Sequence, residues 1–243
     1  MAGSKIIKNA MGEGRKVLTV LESKQILSEA SFPINEYRMA RTIDEAVSYA
    51  QELGYPIVMK LVSSDIIHKT DLGGVVVDVR NNGEVKEQFE RMINTVQEKI
   101  SQVHIEGIMI EQMVKDGIEI IIGSTVDPIF GKVLMFGLGG IFVEVLKDVS
   151  FRLIPIKRSD AEEMLTEIKA AKVLDGVRGK PPADKEAIID LLLKTSDFVA
   201  AHDKIAELDL NPVVVLPDKA IAVDARIVLS APPEKAKKFG KDQ

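Results

Sequence analysis

Polar side chains with oxygen donors recur at every second position in the run Glu207-Leu208-Asp209-Leu210-Asn211, the spacing that puts them on one face of a β-strand. Pro217-Asp218-Lys219 follows as a turn signal flanked by strong β-formers, so the stretch 205–226 reads as a hairpin. Folding about Asp218 brings Asp224 beside Asn211, within a residue of register. Carboxylates and an amide converging in this way form an oxygen-only donor set, the kind that Mg²⁺ uses beside phosphates. The same alternation also describes the solvated face of an amphipathic strand.

Other residues have matching chemistry. Lys60 interrupts the apolar run Ile57-Val58-Met59-Lys60-Leu61-Val62; such a lysine must snorkel, pair with a carboxylate or meet an anionic ligand. Phosphate suits it as a point charge, and an edge-strand lysine reaching solvent is the alternative. The polar loop 63–74 ends in Gly73-Gly74, where the backbone can approach a phosphate closely, or simply turn. His68 in that loop is a competent nucleophile as a neutral imidazole, and phosphohistidine a feasible intermediate; a solvent-exposed bystander is the alternative. Glu111, with free backbone groups through Val114, can read an adenine edge, and Glu119 can reach a ribose hydroxyl; either can equally be a solvent-facing residue of its strand. Arg152 and Arg178 are candidate anion contacts or ordinary surface arginines, and Gly137-Leu138-Gly139-Gly140 is a turn of unassigned role.

These groups must be positioned by an α/β chain. Its 243 residues contain no Cys and three His, with a formal net charge of −5. That rules out disulfides and thiol nucleophiles, and argues against nucleic acid or an anionic membrane as the main partner. No apolar run approaches the roughly 20 residues of a membrane span, and the first residues lack a signal core, so a cytoplasmic protein is expected. Residues 1–19 read as a loose leader, 20–105 as an N-terminal lobe, 106–230 as a C-terminal lobe and 231–243 as a charged tail. Helices are expected over 21–30, over 43–53 behind a Thr42/Glu45 capping box, out of a turn at Asn81-Asn82-Gly83 and ending near Ile100, over 159–172 and over 184–201. Strands are expected at 35–39, 57–62, 75–79, 107–114, 118–125 and 132–136.

Six motifs occur in order: Y-P-I-V-M-K, S-S-D-I-I-H-K-T-D-L-G-G-V, I-E-Q-M-V, D-P-I-F-G-K-V-L-M-F-G-L-G-G-I-F-V-E, G-V-R-G-K-P-P-A-D and E-L-D-L-N-P. This succession, over about residues 19–229, resembles the ATP-grasp β subunit of ADP-forming (NDP-forming) acetate–CoA ligases, and more distantly succinyl-CoA synthetase β subunits. The resemblance implies an ATP-grasp fold, two α/β lobes with ATP or ADP bound between them, GTP/GDP being left open. Lys60 would contact nucleotide phosphate, the Gly73-Gly74 loop would cover the phosphates, and Glu111 with the backbone through Val114 would hold adenine. Asn211 and Asp224 would ligate Mg²⁺. His68 and Asp209 would carry the catalytic roles, His68 accepting a phosphoryl group and Asp209 lying on or beside the metal. The implied reaction is acyl-CoA + ADP + phosphate ⇌ acid + CoA + ATP. It requires an α subunit with CoA-binding and phosphohistidine segments, in an α2β2 assembly. The same chemistry on succinate or another acid, and a nucleotide-sensing module without phosphoryl transfer, stand as alternatives.

Overall fold

Alternation of apolar and polar residues in the strands, and capped amphipathic helices between them, build two antiparallel sheets with separate cores. The computed structural model describes residues 3–66, 72–100, 102–140, 146–177, 179 and 181–230; His68 and Arg178 lie outside them. In chain order the elements are α1 (Ser4–Gly12), α2 (Val20–Glu29), β1 (Tyr37–Ala40), α3 (Ile43–Leu53), β2 (Ile57–Val62), β3 (Val75–Val79), α4 (Asn82–Lys99), β4 (Gly107–Gln112), β5 (Ile118–Asp127), β6 (Gly131–Leu138) and β7 (Val149–Leu153). Then follow α5 (Arg158–Glu167), a 3₁₀ turn (Ala171–Asp175), α6 (Lys185–Ala201), β8 (Ile205–Leu216), β9 (Lys219–Ala222) and β10 (Ala225–Leu229).

The smaller sheet has the order β1-β4-β2-β3, and the larger runs β10-β8-β5-β6-β7 with β9 also on β8. On the small sheet Met59, Leu61, Ile108 and Ile110 face α3 and α4, meeting Ala46, Ala50, Phe89 and Met92 in one core. Because strand side chains alternate, Lys60 and Glu111 leave that core on the opposite face. On the large sheet Ile120, Ile122, Phe136, Leu208 and Leu210 pack against α5 and α6, which leaves Asp209 and Asn211 on the other face. Among the described residues, no helix is long and apolar enough to cross a membrane.

Three expectations are corrected. The described part of the expected leader, residues 3–19, is not loose. Ile7, Ala10 and Leu18 join the large core, and Leu18 N–H donates to Ile227 O at 3.0 Å, extending the edge at β10. Second, β4 belongs to the small sheet, between β1 and β2, and α2 packs in the large core. The lobes are therefore not divided at residue 105, and α2 reaches across the division. Third, the Thr42 hydroxyl does accept from Glu45 N, but the Glu45 carboxylate accepts from Arg41 N rather than Thr42 N. The complete reciprocal box is at α2, between Thr19 and Glu22.

Candidate functional site

The hairpin forms with a two-residue turn. Leu216 pairs with Lys219 and Val213 with Ala222, and the same register continues through Ala225 opposite Leu210 and Arg226 opposite Asp209. Asn211 N donates to Asp224 O at 3.3 Å, so the two residues sit directly opposite each other. Asp209 lies next along the same face. Lys60, from the small sheet, arrives over this end of the hairpin. Its Nζ lies 3.1 Å from Asp224 Oδ2 and 3.0 Å from Glu111 Oε2, and donates to Val223 O at 2.9 Å. A cleft of about 250 Å³ opens here, lined by Thr19, Lys60, Asp209, Asn211, Asp224 and Arg226 among others. The amino end of α2 and the start of β3 complete its wall.

Charge is distributed unevenly in the cleft. Burial works against the Lys60 ammonium, but Asp224 and Glu111 outweigh it and hold Lys60 protonated above the ordinary lysine value. Burial pushes the Asp209 carboxyl up; Arg226 opposes this, while Asp224 and Glu207 add to it. Asp224 Oδ1 accepts from Ala225 N at 2.8 Å, so one oxygen is fixed by backbone and the other faces Lys60. The donor set around Asn211 and Asp224 fits a hard divalent cation: only oxygens are offered, one an amide and one a carboxylate, with Asp209 adjacent. Among the described residues no group of three or more His, Cys, Asp or Glu forms a cage. Two protein donors with a substrate phosphate completing the shell is the Mg²⁺ manner of binding, and no cage is needed for it.

The expected residues do not all converge. Lys60, Asp209, Asn211 and Asp224 line one cleft. Gly73-Gly74 leads into β3 beside it: Leu61 N donates to Gly74 O at 2.9 Å, and Val75 is the Cα partner of Lys60. Gly73 holds φ at 74°, a conformation that favours glycine. Glu111 is a correction. Its side chain is 1% exposed and carries two lysines, Lys24 at 2.6 Å and Lys60, so its carboxylate has no face to offer a base. What remains for that role on the strand is backbone through Val114. Glu119 is exposed on β5 and outside the residues that line the cleft. Arg152 is tied to Glu163 and Glu167 of α5. Gly137 and Gly139 permit close packing: a Cβ on Gly137 would meet Val149 at 2.8 Å, and one on Gly139 would meet Glu119 at 3.0 Å.

Residues that the sequence did not single out complete the arrangement. Arg226 stands opposite Asp209, on the cleft wall. Lys24 reaches Glu111 from α2; its signal was its place three residues after Leu21 and three before Leu27, on the apolar stripe of a helix.

A lysine held between two carboxylates, over a hairpin whose Asn and Asp face each other, sits where two α/β units meet; comparison with known proteins agrees. The ATP-grasp domain matches residues 9–229. The chain belongs to the ATP-grasp family. It is 47% identical over 228 residues to the β subunit of ADP-forming acetate–CoA ligase II of Pyrococcus furiosus, spanning 93% of this chain and 97% of that one. Acetyl-coenzyme A synthetase 1 of Ca. Korarchaeum cryptofilum, solved with coenzyme A and Ca-AMPCP, superposes with a TM-score of 0.89 at 42% identity, covering 93% of this chain and 99% of that one. The same enzyme with Mg-AMPPCP, its phosphohistidine segment pointing towards the nucleotide site, gives 0.82 at 39%, covering 94% of this chain and 100% of that one. Within the ATP-grasp family this chain is therefore kin to the β subunits of ADP-forming acid–thiol ligases, named as parts of an enzyme with a partner chain.

Proposed function

We propose that this chain is the nucleotide-binding β subunit of an ADP-forming acetate–CoA ligase, passing a phosphoryl group between a histidine relay and ADP. The observation that carries this reading is the meeting of Lys60 with Asp224 and Asn211 in one cleft, in a chain whose relatives bear that name. Asn211 and Asp224 would hold Mg²⁺, which when bound neutralises the β- and γ-oxygens of the nucleotide. Lys60 supplies a fixed positive charge for the phosphates, and Gly73-Gly74 provides backbone beside them. Asp209, its carboxyl pushed up by burial, lines the same cleft opposite Arg226 and would act on or beside the metal. His68, two residues after the cleft-lining Ile66, would take the phosphoryl group from a partner α subunit that holds CoA and a second phosphohistidine, in an α2β2 assembly. Adenine would rest on the backbone near Val114, and Glu119 would reach the ribose.

The deciding experiment mixes the chain with its co-purifying partner, Mg²⁺, ADP, phosphate and acetyl-CoA. ATP and acetate should form together, and omitting either chain should abolish both. ATP formation without the partner, or none with it, would overturn the assignment. A nucleotide sensor would bind Mg-ADP and form neither product.

A further inference from the structure

Lys24 is among the largest of the fully buried side chains of the described residues, and it ends in an amine. An ammonium in an interior is costly unless paired and hydrogen-bonded, and packing alone would be served by another apolar residue beside Ile26 and Leu27. Its partners are specific. Nζ donates to Asn35 Oδ1 at 2.6 Å and to Glu111 Oε1 at 2.6 Å. Asn35 turns its own amide to Gln112 O at 3.0 Å and Glu111 Oε2 at 3.4 Å, so Glu111 is clamped from two sides. Its second oxygen then meets Lys60, which meets Asp224. One continuous chain, Lys24–Glu111–Lys60–Asp224, thus runs from α2 through β4 and β2 to the hairpin.

We propose that Lys24 is a positioning residue for the nucleotide site: by neutralising Glu111 it leaves the charge of Lys60 available to phosphate. The inference rests on the nucleotide-binding reading of the cleft. Burial pushes the Lys24 ammonium down and Glu111 opposes it; with Nζ held between Glu111 and Asn35 and Lys24 charged, the four groups carry two positive and two negative charges and balance. Once Asp224 is committed to a divalent cation, one positive charge is left over. With Lys24 present, that surplus sits on Lys60 at the cleft. Without Lys24, Glu111 alone neutralises Lys60, and nothing is left for the phosphates. The distances make this redistribution local: each link is 3.1 Å or shorter.

The test is calorimetric titration of the full chain with Mg-ADP, alongside melting temperatures, for wild type, Lys24→Gln and Lys24→Arg. Affinity should follow charge at position 24: about tenfold or more weaker in Lys24→Gln, the scale of one lost charge-assisted contact, and within about threefold of wild type in Lys24→Arg. A merely structural lysine would lower the melting temperature in both and leave Mg-ADP affinity unmoved below it. Wild-type affinity in Lys24→Gln overturns the proposal, and so does an equal loss in Lys24→Arg and Lys24→Gln. Should the Gln variant fail to fold, Lys24→Arg still decides, since a tenfold loss at a near-normal melting temperature contradicts the account. If the wild-type chain itself binds no Mg-ADP, the reading of the cleft fails, whatever Lys24 does.

Discussion

Replacing Asp224 by Asn separates the chemistry of the cleft from its architecture. The side chain is 38% exposed and its ionic partner Lys60 is held as well by Glu111. A partly exposed pair of this kind is screened, so losing its charge costs about 1 kcal/mol or less. The Asn oxygen can still accept from Ala225 N, which the carboxylate does now at 2.8 Å. A melting-temperature change of about 2–4 °C or less is therefore expected for a chain of this size. Function should suffer far more. Losing the carboxylate directly opposite Asn211 removes charge from the proposed metal position, and removal of one preorganised electrostatic group at a reacting centre typically costs about 10²–10³ in kcat. Binding of metal-free ADP should be retained or improved, because Lys60 loses one of its two carboxylates. The assay is ADP phosphorylation with the partner chain across a Mg²⁺ titration, together with thermal denaturation. Turnover within about threefold of wild type, with unchanged Mg²⁺ dependence, would refute the metal assignment.

Asp209 makes a pH-dependent prediction. Burial raises its folded pKa above the ordinary 3.8, so the folded state binds a proton more readily than the unfolded one. Stability falls as pH rises from about 3.8 through the raised value, and stays lower at neutrality. Asp209→Asn should accordingly raise the melting temperature at pH 7 and give no gain below pH 3.8; a gain independent of pH would be the wrong outcome. Gly107→Ala should destabilise the small sheet by about 1–3 kcal/mol or more in urea unfolding. Its φ is 152° and a Cβ would lie 2.5 Å from Ala40 O; an unchanged midpoint would show that β4 yields there. Chelation with EDTA should stop phosphoryl transfer yet move the melting temperature little, since no cage of three ligating side chains stores folding energy among the described residues. A large thermal shift would instead mark a structural metal.

The hairpin was legible because its signals are local. A Pro-Asp turn and strict alternation fix both register and face, and the structure sets Asn211 against Asp224 as the turn requires. Lys60 was legible as an anomaly in an apolar strand, though not its partners. Its contacts to Glu111 and Asp224 join strands far apart in sequence, and no local pattern specifies such a pair. For the same reason Glu111 read as an exposed acceptor: alternation says that it leaves the small core, not that Lys24 waits on the other side. The lobe boundary failed for a related cause. The sequence of β4 states that it is a strand, but pairing with β1 and β2 decides its sheet. Residues 4–12 carry Ile6, Ile7, Ala10 and Met11 at helical spacing, a signal present but short. Arg226 became conspicuous only when the register set it against Asp209.

The central claim is that this chain carries a phosphoryl group between nucleotide and histidine, and one labelling measurement tests it directly. The full chain is incubated with γ-labelled ATP and Mg²⁺, quenched in alkali, and the label followed after acid treatment and after a chase with ADP. An acid-labile label on His68, absent in His68→Ala, formed about 10²–10³ more slowly in Asp224→Asn and returned to ADP in the chase, is the predicted result. No label at all, or an acid-labile label that persists unchanged in His68→Ala, would contradict the account.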